Sequence, residues 1–145
     1  GVMFTQADLV AGVRAGEGAG KGPRLSVWRY DQDDFTSRES EQAIRIYMAR
    51  KPDCDGALQF WLAALRSEDW SPSGAEAGTC APMSRSEFAT LIWSHAEQLK
   101  RPVPSEILDP SRFVAGMAMY TDWDEIGLVA DLGDSWLAYF WETTA

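Results

Sequence analysis

Apolar residues in the first two-thirds of the chain recur mainly at the three- and four-residue spacing of an amphipathic helix. The clearest helix is predicted after Ser84, which has the capping-box spacing to Glu87 and precedes an apolar stripe. Another helix is predicted after Thr5, with Asp8 in its first turn. The segment 53–70 predicts a buried helix from four apolar positions, Leu58, Trp61, Leu62 and Leu65.

Three more segments before residue 112 predict a strand, a helix and a loop. Residues 25–30, LSVWRY, are β-branched and aromatic and predict a strand. Residues 37–50 predict a helix, because Thr36 and Glu39 have the capping-box spacing and three apolar positions then fall on one side, Ile44, Tyr47 and Met48. Residues 71–82 are rich in Ser, Gly and Pro and predict a loop.

After Arg112 the pattern changes to three strand-length runs, FVAGMAMY, EIGLVAD and SWLAYFWETT. Short connections favour antiparallel neighbours, so the runs predict a three-stranded meander. Apolar side chains occupy both faces of the last run from Trp136 to Trp141, and each face must be covered or must bind something. The predicted fold class is α+β: a helical N-terminal two-thirds packed on a C-terminal antiparallel three-stranded meander, which the strand at 25–30 can join.

Length and composition predict one domain with an ordinary core. The chain has 145 residues, of which 46% are hydrophobic and 24% charged, and a chain of this length buries roughly 70% of its unfolded surface. We expect a single globular domain over residues 1–145, in which Gly1 and Val2 before Met3 resemble a cloning remnant.

The charge balance excludes two classes of partner. The formal net charge is −9 at pH 7, from 22 acidic and 13 basic residues, whereas binding to nucleic acid or to an anionic membrane needs a basic surface. Two cysteines and one histidine are too few for a tetrahedral Cys/His zinc site, and we predict neither a metal nor a cofactor. The sequence shows no long apolar segment and no signal-peptide pattern, which predicts a cytoplasmic protein with reduced Cys54 and Cys80.

Local motifs assign no catalytic residue. The glycine-rich segment 16–23 lacks the Walker spacing and leads from a predicted helix into a predicted strand, so it is interpreted as a connector. His95 lies on the apolar stripe of its helix and is predicted to be packed and hydrogen-bonded. Asp31, Asp33 and Asp34 do not fit the calcium-loop pattern and predict a solvated turn.

The C-terminal third differs from the rest of the chain in its charge and its aromatic content. Residues 113–145 contain six carboxylates, seven aromatic residues and neither Lys nor Arg. Carboxylates beside exposed rings are typical of a surface that binds a basic protein, because rings supply desolvated anchors and charges steer the encounter. Trp123 lies between two aspartates in a predicted turn, where burial is difficult. The candidate partner-binding residues are Asp122, Trp123, Asp124, Glu125, Asp131 and Asp134.

Three alternatives fit the same residues. The rings can form the core of the sheet while the carboxylates lie in turns. The chain can be a small hydrolase that uses a pair of carboxylates across a cleft, or a regulatory subunit that dimerises through an apolar face of the sheet. A deep pocket with two converging carboxylates would favour the hydrolase, and a flat or convex acidic face would favour the binding protein.

The closing segment, DWDEIGLVADLGDSWLAYFWETTA, resembles in general style the immunity proteins that bacteria encode beside secreted toxins. The resemblance covers mainly this tail and rests on no diagnostic motif, so it transfers no functional residue. It implies a cytoplasmic protein without catalytic activity that binds one cognate toxin domain and blocks its active site. We therefore expect a protein-binding inhibitor whose partner is a protein with a basic surface.

Overall fold

The computed structural model describes residues 3–16, 22–37 and 41–144. The helices are α1 (Gln6–Arg14), α2 (Ala57–Ser67), α3 (Pro72–Glu76), α4 (Arg85–Ala96) and α5 (Ser105–Leu108), and the strands are β1 (Ser26–Tyr30), β2 (Gln42–Arg50), β3 (Ala81–Met83), β4 (Ala115–Thr121), β5 (Glu125–Asp131) and β6 (Ser135–Thr143). None of the described helices has the length and apolar character needed to cross a bilayer. Residues 17–21 of the predicted glycine-rich connector and Glu39 of the predicted capping pair lie outside the described residues.

The strands form one antiparallel sheet in the order β1-β2-β6-β5-β4-β3. The expected meander is present in it as β4, β5 and β6. The α+β class is as predicted, but the predicted arrangement of its elements is wrong. The N-terminal two-thirds supplies β1, β2 and β3 to the same six-stranded sheet, so strands and helices are interspersed along the chain instead of a helical part packing on three strands.

The largest local error concerns residues 37–50, where a helix was predicted and β2 is found. β2 lies between β1 and β6, so it is covered on both faces and needs apolar side chains on both. Ile44 and Ile46 pack on one face and Tyr47 on the other. An interior strand of this kind gives a nearly continuous apolar run, which periodicity does not distinguish from a buried helix.

Helices cover both faces of the sheet. α1, α2 and α3 pack on one face, in a core that includes Leu9, Tyr47, Phe60, Trp61, Met117, Val129, Ala138 and Phe140. α4 and α5 pack on the other, in a core that includes Ile44, Ile46, Phe88, Ile92, Ile107, Leu128, Leu137 and Tyr139. The apolar alternation in the last strand therefore reflects two core layers made by the chain itself.

Two of the three helices predicted from capping boxes are confirmed, those that begin after Thr5 and Ser84. Thr5 Oγ1 accepts from the amide of Asp8 at 3.1 Å, and Asp8 Oδ2 accepts from the amide of Thr5 at 2.9 Å. Ser84 and Glu87 make the same reciprocal pair at 3.1 and 3.0 Å. His95 of α4 is buried, with Nδ1 2.7 Å from the hydroxyl oxygen of Tyr139, as the apolar stripe predicted.

The segment 71–82, predicted as a loop, contains α3 and the short strand β3. β3 pairs with β4 at the edge of the sheet, with Pro82 opposite Met117. Proline has no N–H to donate, so a strand that contains it is tolerated at an edge and gives a weak strand signal in the sequence.

Candidate functional site

The six predicted partner-binding residues lie at two ends of the sheet. Asp122, Trp123 and Asp124 form the β4–β5 turn and Glu125 begins β5, whereas Asp131 ends β5 and Asp134 lies in the β5–β6 turn. These turns are separated by the length of β5, about 20 Å at the usual rise per residue. Asp131 pairs with Lys51 at 2.8 Å and Asp134 with Arg112 at 3.5 Å. The structure therefore brings the first four residues together and leaves the last two in separate ion pairs.

Most aromatic side chains of the C-terminal third belong to the core. Phe113, Tyr120, Tyr139 and Phe140 are buried, and Trp136 and Trp141 are half-buried. Trp123 is the exception. Its 75% exposure is the highest among the large apolar side chains in the described part of the chain. The expectation of an outward ring thus holds for one residue, which lies between Asp122 and Asp124.

A cleft of about 420 Å³ lies beside the β4–β5 turn. We call it the acidic cleft, because its lining includes four carboxylates and, among the described residues, one cation. It lies between the segment that follows α2 and the ends of β2, β4, β5 and β6. The lining residues are Arg45, Glu68, Asp69, Trp70, Ser71, Tyr120, Glu125, Ile126, Phe140, Trp141 and Glu142.

A charged network forms the floor of the acidic cleft. Arg45 Nε donates to both carboxylate oxygens of Glu68, at 2.8 and 2.7 Å, and Nη1 donates to Glu142 at 3.0 Å. Tyr47 donates its hydroxyl to Glu68 Oε2 at 2.5 Å. The Glu68 side chain is 5% exposed. Burial, followed by the bond to Glu68, raises the pKa of Tyr47 to about 12, so the phenol stays a proton donor.

Aromatic rings form one wall of the acidic cleft. Trp70 stacks on Tyr120 with centroids 4.3 Å apart and planes 15° from parallel. The Tyr120 hydroxyl donates to the carbonyl of Gly74 at 3.0 Å, which fixes the ring. Tyr120 lies over Gly127, where an added Cβ would be 2.7 Å from the ring. The absence of a side chain at Gly127 therefore permits this wall.

Two carboxylates of the cleft, Asp69 and Glu125, do not bind Arg45. Asp69 is exposed, whereas Glu125 is half-buried and its side chain makes no ion pair or hydrogen bond with the described residues. Burial, followed by the negative charges of Asp122, Asp124 and Glu142, raises its pKa. Glu68 and Glu142 differ from it, because both bind Arg45. The mouth of the cleft thus concentrates negative charge that the described residues do not neutralise.

The two cysteines and the histidine lie in surroundings that oppose their ionisation: Cys54 is half-buried, and Cys80 and His95 are buried. Cys54 and Cys80 are not bonded to each other, and burial raises the pKa of both thiols, which opposes thiolate formation. Burial lowers the pKa of His95 to about 4. In the described part of the chain, no group of three or more His, Cys, Asp or Glu side chains is placed to hold a metal ion.

Sequence reasoning identified Glu125 and missed the rest of the cleft. Arg45 was assigned to a helix, and Glu68 and Trp70 were treated as the end of one. The cleft residues come from β2, the end of α2, β4, β5 and β6, which approach only in the folded sheet. A local signal for this convergence does not exist in the sequence.

Comparison with profiles of known protein families, with curated proteins and with solved structures finds no match to this chain.

Proposed function

We propose that this chain is a protein-binding inhibitor that docks the β4–β5 turn and the acidic cleft onto a basic protein surface. The observation that carries the proposal is the 75% exposure of Trp123 between two carboxylates, beside the cleft. Interface energy concentrates in large rings that become desolvated on binding, and surrounding carboxylates steer a basic partner. An immunity protein that covers the basic active-site surface of a toxin needs both an exposed aromatic ring and surrounding carboxylates.

The turn that carries Trp123 is held in place by backbone bonds. The amide of Asp122 donates to the carbonyl of Glu125 at 2.9 Å, and the amide of Thr143 donates to the carbonyl of Asp124 at 2.9 Å. An anchor on an ordered turn loses less conformational entropy on binding than one on a flexible loop. These bonds favour Trp123 as a preorganised contact residue.

The proposed interface excludes two of the predicted contact residues. Asp131 and Asp134 lie at the far end of β5 and already pair with Lys51 and Arg112. The interface therefore consists of Asp122–Glu125 and the rim of the acidic cleft. A cytoplasmic site of action and a toxin as the partner are parts of this proposal.

The test uses the protein encoded by the reading frame adjoining that of this chain. The two proteins are purified separately and their affinity is measured by calorimetry, with association rates at several ionic strengths. We expect the association rate to fall steeply with salt. Trp123→Ala should weaken binding by about 2 kcal/mol, which is roughly 30-fold.

Trp93→Ala is the matched control, because Trp93 is 49% exposed on α4, in the helix layer on the opposite face of the sheet. It should leave the affinity unchanged. Absence of binding, or an equal loss in both variants, would contradict the proposal.

A hydrolase is the second candidate, and the acidic cleft is the observation that favours it. Glu125 and Glu142 converge there, and a carboxyl whose pKa is raised can act as a general acid. Against this assignment, Glu142 and Glu68 are held by Arg45. Turnover of a chromogenic ester or glycoside that Glu125→Gln abolishes would support the hydrolase.

The third alternative is a subunit that dimerises through an apolar face of the sheet. Helices of the same chain cover both faces of the sheet. α1–α3 fill one face of the sheet and α4–α5 the other. Light scattering of the purified chain measures its oligomeric state directly.

A further inference from the structure

The acidic cleft has a wall of aromatic rings to which Trp123 does not belong. The stacked rings of Trp70 and Tyr120 line the cleft together with the carboxylates of Glu68 and Glu125. Aromatic faces attract cations through their quadrupole, and carboxylates add a direct charge interaction. Rings and carboxylates in one concave site are the chemistry that recognises an organic cation.

The cleft already holds one guanidinium group, which shows how it binds such a group. Arg45 lies between Glu68 and Glu142, with its Nε bonded to both oxygens of one carboxylate and its Nη1 to the other. After this pairing Glu125 is left without a cationic partner among the described residues. Glu68 and Glu142 thus neutralise Arg45, and the carboxylate of Glu125 remains to bind a second cation.

The carboxyl end of α2 reinforces the negative potential. Glu68 is the C-terminal capping residue of this eleven-residue helix, and Asp69 and Trp70 follow it into the cleft lining. Helix carboxyl ends carry a partial negative charge and favour nearby cations. The free volume of about 420 Å³ is within the range of small-ligand pockets, roughly 300–1,000 Å³, and admits a side chain together with part of its backbone.

We infer that the acidic cleft receives an arginine side chain of the partner, placed against the aromatic wall and bonded to Glu125. This inference rests on the proposed function, since it assigns to the same docking surface the group that enters the cleft. Arginine fits better than lysine, because a planar guanidinium stacks on rings and bonds to a carboxylate through two donors. Trp123 then packs outside the cleft, on the surface around the inserted arginine.

The test uses N-acetyl-arginine amide as the probe, followed in two-dimensional proton–nitrogen NMR spectra of the full chain. The indole N–H signal of Trp70 and the amides of Glu125 and Ile126 report on the cleft. Saturable shifts confined to these signals are expected. N-acetyl-citrulline amide, which has the same shape without the charge, should produce no saturable shift.

Glu125→Gln should weaken the probe by about tenfold, because a charge-assisted hydrogen bond is replaced by a neutral one. This variant removes a carboxylate that its neighbours repel, so the fold is retained. Glu106→Gln, an exposed position in α5, changes the net charge equally and should leave probe binding unchanged. Shifts outside the cleft, equal shifts with the citrulline probe, or equal affinity for Glu125→Gln would overturn the inference.

The failure of this inference is distinguishable from failure of the proposed function. If the probe does not bind while Trp123→Ala still weakens the protein partner, the arginine assignment falls and the docking surface stands. If the probe binds in the cleft while no affinity for the partner is measured, the proposed function falls and the cleft remains an arginine site.

Discussion

The hydroxyl of Tyr47 donates a 2.5 Å hydrogen bond to Glu68, which joins the centre of the sheet to the residue that caps α2. Glu68 receives this bond and both bonds from Arg45 Nε, although its side chain is only 5% exposed. The floor of the acidic cleft is therefore a structural network of charged residues. We expect Glu68 and Glu142 to contribute different amounts to the free energy of unfolding.

Glu68→Gln should lower the free energy of unfolding by about 2 kcal/mol, because it leaves the partly buried guanidinium of Arg45 with weaker acceptors. Glu142→Gln breaks an ion pair whose carboxylate is 51% exposed and should cost no more than about 0.5 kcal/mol. Urea unfolding of both variants measures the difference. Equal losses would show that Glu68 is not the principal partner of Arg45.

The free energy of unfolding should fall in alkaline solution, because the buried tyrosines ionise more easily in the unfolded chain. The pKa of each of the four, Tyr30, Tyr47, Tyr120 and Tyr139, is raised, in each case mainly by burial. A raised pKa in the folded state means that this stability is fully present below pH 10 and is lost as the pH rises through the folded value. For Tyr47 the loss extends from pH 10 to about pH 12. Phenolate absorbance and circular dichroism should change together, and phenolate formation without unfolding would contradict the expectation.

Acid should destabilise the fold through His95, the one histidine of the chain. Burial lowers its pKa from 6.5 to about 4, so the unfolded chain binds a proton that the folded chain does not. The associated stability is present above pH 6.5 and is lost as the pH falls toward 4, with a loss on the order of 3 kcal/mol. The imidazole NMR signal should not titrate between pH 7 and 5. A midpoint near 6.5 in the folded protein would refute the buried neutral ring.

Gly127→Ala should displace the aromatic wall of the cleft. The new Cβ would lie 2.7 Å from the Tyr120 ring, which Trp70 and the Gly74 carbonyl hold in place. We expect a loss of about 1–3 kcal/mol, as for overpacking in a core, together with a changed near-ultraviolet circular dichroism spectrum. Gly22→Ala is the control, because its Cβ would meet Ala63 at an ordinary 3.8 Å. A spectrum unchanged in both variants would contradict the proposed packing.

Trp123 and Trp61 should differ in their contribution to stability. Trp61 is fully buried, and Trp61→Ala should cost about 3–5 kcal/mol. Trp123→Ala removes a side chain that is 75% exposed and should change the free energy of unfolding by less than about 0.5 kcal/mol. Thermal melting of the two variants is sufficient to compare them. A large loss for Trp123→Ala would assign that ring to the core.

The predictable parts of the fold are those with a local signature. The capping pairs at Thr5 and Ser84 fix the starts of two helices through contacts three residues apart, and the short turns of the C-terminal runs fix their antiparallel pairing. β2 is the exception, because the capping-box spacing of Thr36 and Glu39 precedes it and predicts a helix. Its apolar run is produced by core on both faces, so the partner strands decide its conformation.

The same reasoning explains what the sequence revealed of the candidate site. Trp123 between aspartates in a turn was recognisable, because turn residues are exposed by their position in the chain. Asp131 and Asp134 belong to the same acidic and aromatic segment of the sequence as Trp123. In the structure the length of β5 separates them from Trp123. Arg45 and Glu68 gave no signal, because their meeting depends on where α2 ends over the sheet.

The position of β2 between β1 and β6 has a consequence for the order in which the protein can be assembled. The ladder between β2 and β6 joins residues as far as 101 positions apart, as in the pair Gln42 and Thr143. While the ribosome is still making residues 135–143, β2 has an open edge where β6 will pair, and an open apolar edge invites pairing with other chains. The six strands can pair in full only after synthesis of β6, so this edge of β2 stays unpaired until that strand emerges.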